Sequence, residues 1–197
     1  MALTLTTIDL LRHGEVEGGS CYRGITDDPL SSNGWDQMHN KLPTQTHWDL
    51  IFSSPLTRCH AFAQFLSHEL QLPLHISPSF QELDFGDWEG KTADQINPQL
   101  LDQFYLDPIS FPPPNGERFA HFQQRVIQAW QSLYKVHQGK HILLITHAGV
   151  IRIILAHILA MDIQHSFRLK INNACLSNIQ CFQQSGKENF FQLVRHG

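Results

Sequence analysis

The sequence predicts an α/β protein built in three layers, with helices on both faces of a mostly parallel central sheet. Three observations carry that expectation. Short apolar runs alternate along the chain with longer segments of helical periodicity, the pattern of a layered α/β domain. The run His141–Thr146 holds Ile142, Leu143, Leu144 and Ile145 without a polar break, as a strand covered on both faces requires. A chain of 197 residues, 42% of them hydrophobic, is long enough to bury one such sheet. One domain over residues 1–197 is expected, with a cap-like insertion around 84–117.

Taken in order, Leu3 to Leu11 mixes Leu, Ile and Thr and forms a buried strand that runs into Arg12-His13-Gly14. Gly14, Gly18, Gly19 and Gly24 mark a loop as far as Pro29. Ser31 and Ser32 are candidate caps for a helix from Asn33 to Leu42, stopped by Pro43. Asp49 to Ser53 is a second short strand. Ser54-Pro55 signals a helix start, a capping hydroxyl followed by proline at the first helical position, and that helix runs to about Leu70. Leu74 to Ser77 is a third strand.

A loop-rich middle follows, with Gly86, Gly90, Pro98, Pro108 and the Pro112-Pro113-Pro114 run, and with short helix near Ala93 to Tyr105. Glu117 to His137 is a long amphipathic helix with Phe119, Phe122, Val126, Trp130, Leu133 and Val136 in register. After the His141–Thr146 strand, His147-Ala148-Gly149 leads into a helix ending near Met161. Ala174 to Phe182 and Phe190 to Arg195 close the sheet, with Ser185-Gly186 as their turn.

Composition narrows the function. Lys and Arg total 14 against 18 Asp and Glu, a net charge of -4, which argues against a nucleic-acid-coating surface but leaves room for a local arginine cluster around an anion. The four cysteines form no CxxC pair and read as reduced thiols of a cytoplasmic protein. MALTLTTIDLLRHGE lacks a basic leader, and VIRIILAHILAM is too short and too interrupted for a membrane span. Thirteen histidines raise the question of a metal. His60 and His68 lie two helical turns apart, however, and there is no HExxH motif, so no metal is expected. GxSxG, GxxxxGK[ST] and GxGxxG are absent too, and no cofactor is expected.

What remains is a set of polar groups at the ends of two buried strands, a favoured place for α/β sites. Leu11 runs into Arg12-His13-Gly14, and Thr146 runs into His147-Ala148-Gly149; in each a histidine stands beside a glycine that lets backbone approach a ligand. The helix after Gly149 presents N–H groups that suit an anion. Arg58 and Arg152 sit near helix starts, where the dipole disfavours a cation unless a carboxylate or a bound anion compensates it. Arg12 adds a third fork of donors of the geometry that phosphate oxygens accept. The second RHG, Arg195-His196-Gly197, has no loop or helix after it to complete a pocket and is expected to lie elsewhere.

These residues resemble the histidine phosphatase superfamily, the phosphoglycerate-mutase-like family. Leu11-Arg12-His13-Gly14-Glu15 is similar to its N-terminal signature; Arg58 in SSPLTRC, Glu82 in ELDFGDWEG and His147 in THAGVIR match its second arginine, its acid and its second histidine, in the expected order. Within the family the phrases YRGITDDPLSSNGW, ELDFGDWEG and NGERFAHFQQRV most resemble the alpha-ribazole phosphatase group. Where many members read RHGETxxN, this chain has Val16 and Gly19, so the asparagine contact to phosphate is missing or supplied by another residue.

The resemblance implies a phosphoglycerate-mutase-like fold and a ping-pong phosphomonoesterase. His13 would attack phosphorus and form a phosphohistidine. Arg12, Arg58 and His147, with the backbone at Ala148, would bind the phosphoryl oxygens, and Glu82 would protonate the leaving alcohol and then activate water. The expected partner is a small phosphate monoester, alpha-ribazole 5'-phosphate in cobalamin biosynthesis. Broad small-metabolite hydrolysis, a mutase-like activity and a silent anion-binding domain are the alternatives, and a homodimer is left open. Tyr22, Arg23, Gly24, Trp88, Asn115 and Glu117 are candidate substrate contacts. Tyr22 and Trp88, with Phe104, Tyr105 and Phe111, offer apolar surface to a nucleoside-like leaving group, unless they pack the cap onto the sheet. Glu117, at the start of the long helix, either orients the pocket or caps.

Overall fold

The structure, a computed structural model, describes residues 3–45 and 47–197. Six strands form its sheet: β1 (Thr4–Arg12), β2 (Leu50–Ser53), β3 (Leu74–Ile76), β4 (His141–Thr146), β5 (Leu176–Gln183) and β6 (Phe190–His196), in the spatial order β3-β2-β4-β1-β5-β6. β3, β2, β4 and β1 run parallel, and β5 runs antiparallel to both of its neighbours. The helices are α1 (Ser32–Lys41), α2 (Thr57–Leu70), α3 (Pro98–Leu106), α4 (Phe119–Val136) and α5 (Ala148–Ile158). The chain thus has the expected three-layer α/β architecture.

Strand alternation divides the core. Ile8, Leu10, Ile142 and Leu144 face α4 and α5, where they meet Phe122, Val126, Trp130 and Ile151. Leu11, Ile51, Leu143 and Ile145 point the other way, onto Met38 of α1 and Phe62, Ala63 and Leu66 of α2. Each such fully buried side chain contributes about 1.5–3 kcal/mol over its exposed state, so the two layers clamp β1 and β4 at the centre of the sheet. That pair carries the site.

The ends of the elements differ from the sequence expectation in instructive ways. Ser31 caps α1 as expected, accepting the Gly34 N–H at 3.0 Å. Ser54 does not cap α2. The helix begins later, after Leu56, and Asp27 caps it from across the loop, accepting the Thr57 N–H at 2.6 Å and the Thr57 hydroxyl at 2.8 Å. Val136 is 69% exposed at the end of α4, and Tyr134 is buried in its place. The middle segment holds 3-10 turns at Gly86–Trp88 and Ala93–Gln95 besides α3. Trp88, Ile96, Leu101 and Phe104 fasten that segment into the same core as α4 and α5.

Candidate active site

Because β1 and β4 are parallel neighbours with Arg12 opposite Thr146, their C-terminal ends deliver the next two residues side by side. The His13 and His147 rings stand 5.3 Å apart between centroids, edge to face at 61°. The His13 N–H is pinned to the Thr146 carbonyl at 3.0 Å, and the Ala174 N–H to the His13 carbonyl at 3.1 Å.

The tautomer of His13 follows from its partner. Nδ1 lies 2.8 Å from the Gly14 carbonyl oxygen, which can only accept, so Nδ1 carries the proton and Nε2 keeps its lone pair. Burial, reinforced by the charges of Arg12 and Arg58, holds the ring well below the usual imidazole range. His13 is a neutral imidazole with one free nitrogen, the form a nucleophile needs. His147 is wholly buried, and burial, reinforced first by the charge of Arg58, holds its ring well below the usual imidazole range too; its Nε2 lies 2.7 Å from the Ser54 hydroxyl.

The two arginines are held by backbone, not by carboxylates. Arg12 donates from Nη1 to the Ile171 carbonyl at 2.7 Å. Arg58, fully buried, donates from Nη1 to Thr26 O at 2.7 Å and from Nη2 to Gly24 O at 2.6 Å. The Nε–H of each is buried without a partner. Two guanidinium groups with unspent donors beside a neutral imidazole form a site for an anion. Arg152 is satisfied elsewhere, by the Leu169 carbonyl at 3.2 Å and the face of Phe167.

Glu82 closes the set. Its Oε1 accepts the Leu83 N–H and its Oε2 the Gly149 N–H, both at 3.1 Å. Here the glycine beside His147 serves Glu82: a Cβ on Gly149 would fall 2.3 Å from Glu82 Oε1. The glycine beside His13 serves packing: a Cβ on Gly14 would lie 2.1 Å from the Gly34 carbonyl of α1. Both glycines thus leave room for neighbouring protein groups, the Gly34 carbonyl and the Glu82 carboxyl, which the sequence does not show.

Arg12, His13, Arg58 and Glu82 line one cavity of about 480 Å³, and Arg23 lines it as well. Its outer wall is the loop from Gly14 to Cys21, with Ser31 and Asn173. His147 stands behind His13, outside that lining, and Ala148, the first residue of α5, is outside it too. Of the candidate substrate contacts only Arg23 reaches the cavity, and its guanidinium is already bound to Asp28 at 2.6 Å and to the Glu17 and Gly19 carbonyls. Trp88 is buried with Phe104 in the core. Tyr22 packs on Phe85 and Trp88 and shares a hydrogen bond with the Tyr105 hydroxyl at 2.8 Å. Asn115 donates to Asp87 and Glu117 pairs with Arg125, both away from the cavity. Gly24 contributes through its carbonyl, on Arg58. These aromatics pack the middle segment onto the sheet and do not form the cavity wall.

Ser20, Cys21 and Asn173 escaped the sequence reading. Asn173 precedes β5, and an antiparallel strand starts where its neighbour β1 ends, so the signal lies in strand order, which the sequence does not print. Gly19, the position of the asparagine in the RHGETxxN pattern, stands at φ +75°, and the polar side chains on that wall come from Glu15, Glu17, Ser20, Ser31 and Asn173. His196 lies apart, bound to the Ser177 hydroxyl at 2.8 Å. Among the described residues no three His, Cys, Asp or Glu side chains cluster to hold a metal ion, and no helix is long and apolar enough to cross a membrane.

Known proteins resemble this chain in sequence and in fold. The model of the histidine phosphatase superfamily (branch 1) matches residues 8–197. The chain is 30% identical over 183 residues to the adenosylcobalamin/alpha-ribazole phosphatase of Escherichia coli, covering 89% of this chain and 90% of that protein. It is 28% identical to an uncharacterised phosphatase of Bacillus subtilis, over 98% of this chain and 97% of the other. Among solved structures, the alpha-ribazole phosphatase of Shigella flexneri superposes with a TM-score of 0.80 at 28% identity, covering 95% of each chain.

Proposed function

From its membership of the histidine phosphatase superfamily, to which this chain belongs, we propose a phosphohistidine mechanism run by His13, Arg12, Arg58 and Glu82. The chain is a phosphomonoesterase of that superfamily. The observation that supports this assignment of roles is the His13 ring: Nδ1–H is spent on the Gly14 carbonyl, and Nε2 is free in a ring that shares its cavity with Arg12, Arg58 and the Glu82 carboxyl.

In the first half-reaction His13 Nε2 attacks phosphorus, an N–P bond forms and the P–O bond to the alcohol breaks. Glu82, in its protonated form, gives its proton to the departing oxygen. Arg12 and Arg58 meet the charge that develops on the equatorial oxygens. In the second, the Glu82 carboxylate takes a proton from water as the water oxygen attacks phosphorus, releasing phosphate and restoring His13. His147, oriented by Ser54, backs His13 without adding a cation that would compete for its lone pair. In this reading 1–197 is one domain, with the segment around 84–117 as its cap.

We assign alpha-ribazole 5'-phosphate as the preferred substrate, on the strength of the relatives from Escherichia coli and Shigella flexneri that carry that activity in their names. A broad small-metabolite phosphatase is the second reading. It is favoured by the outer wall, where Glu15, Glu17, Ser20 and Asn173 offer polar groups and no aromatic face for a base. Intact-mass measurement after an acid-free quench tests the mechanism: the wild type gains one phosphoryl group and His13→Ala gains none while still binding phosphate. A covalent adduct on His13→Ala would refute the assignment. A kinetic panel of alpha-ribazole 5'-phosphate against small sugar phosphates separates the two substrate readings.

A further inference from the structure

We propose that Glu89, which does not touch the cavity, is a positioning residue for phosphate recognition: it clasps the backbone of Gly24–Thr26 so that two carbonyls of that loop aim the Arg58 guanidinium. The proposal rests on the reading above that Arg58 binds the phosphoryl group.

The geometry is specific. Glu89 Oε1 accepts the Gly24 N–H at 3.0 Å and the Ile25 N–H at 3.1 Å, and Oε2 accepts the Thr26 N–H at 3.1 Å. The Thr26 hydroxyl donates to Oε2 as well, and the Phe85 N–H to Oε1 at 2.9 Å. Three successive backbone N–H groups converging on one carboxylate form an anion nest, here filled by a side chain of the same molecule. The reverse side of the same loop holds the cation: the carbonyls of Gly24 and Thr26 are the two that accept from Arg58. N–H groups turned towards Glu89 and carbonyls turned towards Arg58 are two faces of one backbone shape.

The clasp reaches further in both directions. Asp27, the next residue, caps the helix that carries Arg58 by accepting the Thr57 N–H. Gly24 lies so close to the segment of Glu82 that a Cβ would meet the Leu83 carbonyl at 1.8 Å and Glu89 Oε1 at 2.5 Å. One loop therefore sets the arginine head, the start of its helix and its distance from the Glu82 segment. Glu89 itself is fixed by its neighbour Trp88, which is buried in the core. Burial opposes the charge on Glu89, yet the hydrogen bonds from Thr26, Phe85 and Ile25 outweigh it and hold the carboxyl below its usual range, so the clasp is anionic at neutral pH.

The test is a double-mutant cycle read by binding of inorganic phosphate, with kcat/KM measured alongside. Glu89→Gln keeps the size of the side chain but turns one acceptor into a donor that faces N–H groups. It is expected to weaken phosphate about tenfold and to lower kcat/KM by about tenfold to a hundredfold, since a displacement near 1 Å has that effect on positioned groups. In an Arg58→Ala background the same change should leave phosphate affinity within about twofold, because the head it aims is gone. Equal weakening with and without Arg58, or unchanged affinity in a folded Glu89→Gln protein, would overturn the proposal. Wild-type phosphate affinity in Arg58→Ala alone would instead overturn the reading of Arg58, and the proposal with it. Should Glu89→Gln fail to fold by near-ultraviolet circular dichroism, Thr26→Val removes a single donor. It should weaken phosphate about twofold to threefold only when Arg58 is present, and no shift would overturn the proposal.

Discussion

The His13 and His147 rings meet edge to face, 5.3 Å between centroids, and burial together with the nearby arginines keeps both from taking a proton in the neutral range. Two adjacent imidazolium ions beside Arg12 and Arg58 would repel one another with little water to screen them. The site therefore holds its histidines neutral, and that has a cost at low pH.

Stability should fall in mild acid. In the unfolded chain each imidazole titrates near 6.5, while in the folded chain both titrate well below that value. Between the two values the unfolded state binds more protons, so the stabilisation is complete above pH 6.5 and is lost as pH drops from there towards the folded values. The slope approaches about 1.4 kcal/mol per pH unit for each histidine. Urea unfolding at a series of pH values from 7.5 to about 5 measures it, and His13→Asn should remove roughly one of the two contributions. A slope indifferent to His13→Asn would show that the ring is not held neutral by the fold.

Ser54→Ala should lower turnover while keeping the fold. The Ser54 hydroxyl is 2.7 Å from His147 Nε2 and also accepts the Leu56 N–H at 3.3 Å, so its loss leaves that buried nitrogen only the weak contact of the Cys59 Sγ at 3.7 Å. A lost buried partner costs about 1–3 kcal/mol of stability, which thermal melting registers. A ring free to turn behind His13 should lower kcat about tenfold, with KM much less affected. An unaltered kcat would mean that packing against Cys59 and His13 alone fixes His147.

Much of this site was legible in the sequence because its key groups are set by local patterns. An apolar strand ending in Arg12-His13-Gly14 needs only an α/β sheet to place His13 at a strand's carboxyl end, and the same holds for Thr146-His147. The parallel pairing of β1 with β4 then brings the two together. What the pattern hid lies in contacts between distant segments. Ser54 fits the sequence signature of a helix cap, but Asp27 takes that task and frees the hydroxyl for His147. Trp88 and Phe104 stand in a segment rich in proline and glycine, the composition of a surface loop, yet they belong to the core under α4 and α5. Asn173 becomes visible only once β5 is known to lie antiparallel beside β1.

Glu117 makes no capping hydrogen bond to α4. Its carboxylate holds Arg125 at 2.7 and 2.8 Å, and Arg125 donates onward to the carbonyls of Ser79, Gln81 and Glu82. The pair ties α4 to the segment that carries Glu82. Arg125→Met keeps much of the side-chain volume and should lower kcat about tenfold to a hundredfold, with a smaller effect on phosphate binding, which rests on the arginines. Steady-state kinetics beside phosphate titration checks this split. A change confined to KM would place the relay outside catalysis.

Gly149→Ala tests the seat of Glu82 from the opposite side. The new methyl would sit 2.3 Å from Glu82 Oε1 and 3.1 Å from the Phe122 ring, too close for either to stay. The carboxyl should be driven off the Gly149 N–H, with a loss of kcat of about a hundredfold. Alanine favours the helix by about 1 kcal/mol over glycine, so the melting temperature should change less than the activity does. Full activity in Gly149→Ala would show that the Glu82 carboxyl works from another position.

The outer wall of the cavity makes the last prediction, about which alcohols the enzyme will release. Glu15 is engaged with Ser31 at 3.0 Å and Asn33 at 3.1 Å, whereas Glu17 lines the cavity with no ion-pair partner among the described residues. Arg23, which lines the same cavity, is already paired with Asp28. A leaving group that carries a carboxylate past Glu17 meets repulsion that a hydroxyl does not. Glycerol 3-phosphate and 3-phosphoglycerate differ by that one exchange, so their ratio of kcat/KM isolates the charge from the phosphate. The wild type should favour glycerol 3-phosphate. Because Glu17 is exposed and screened, Glu17→Gln should narrow the preference by only about twofold to fivefold, and added salt should narrow it in the wild type and not in the variant. A ratio that neither the substitution nor salt alters would remove Glu17 from the selection of substrates and leave that task to the shape of the wall.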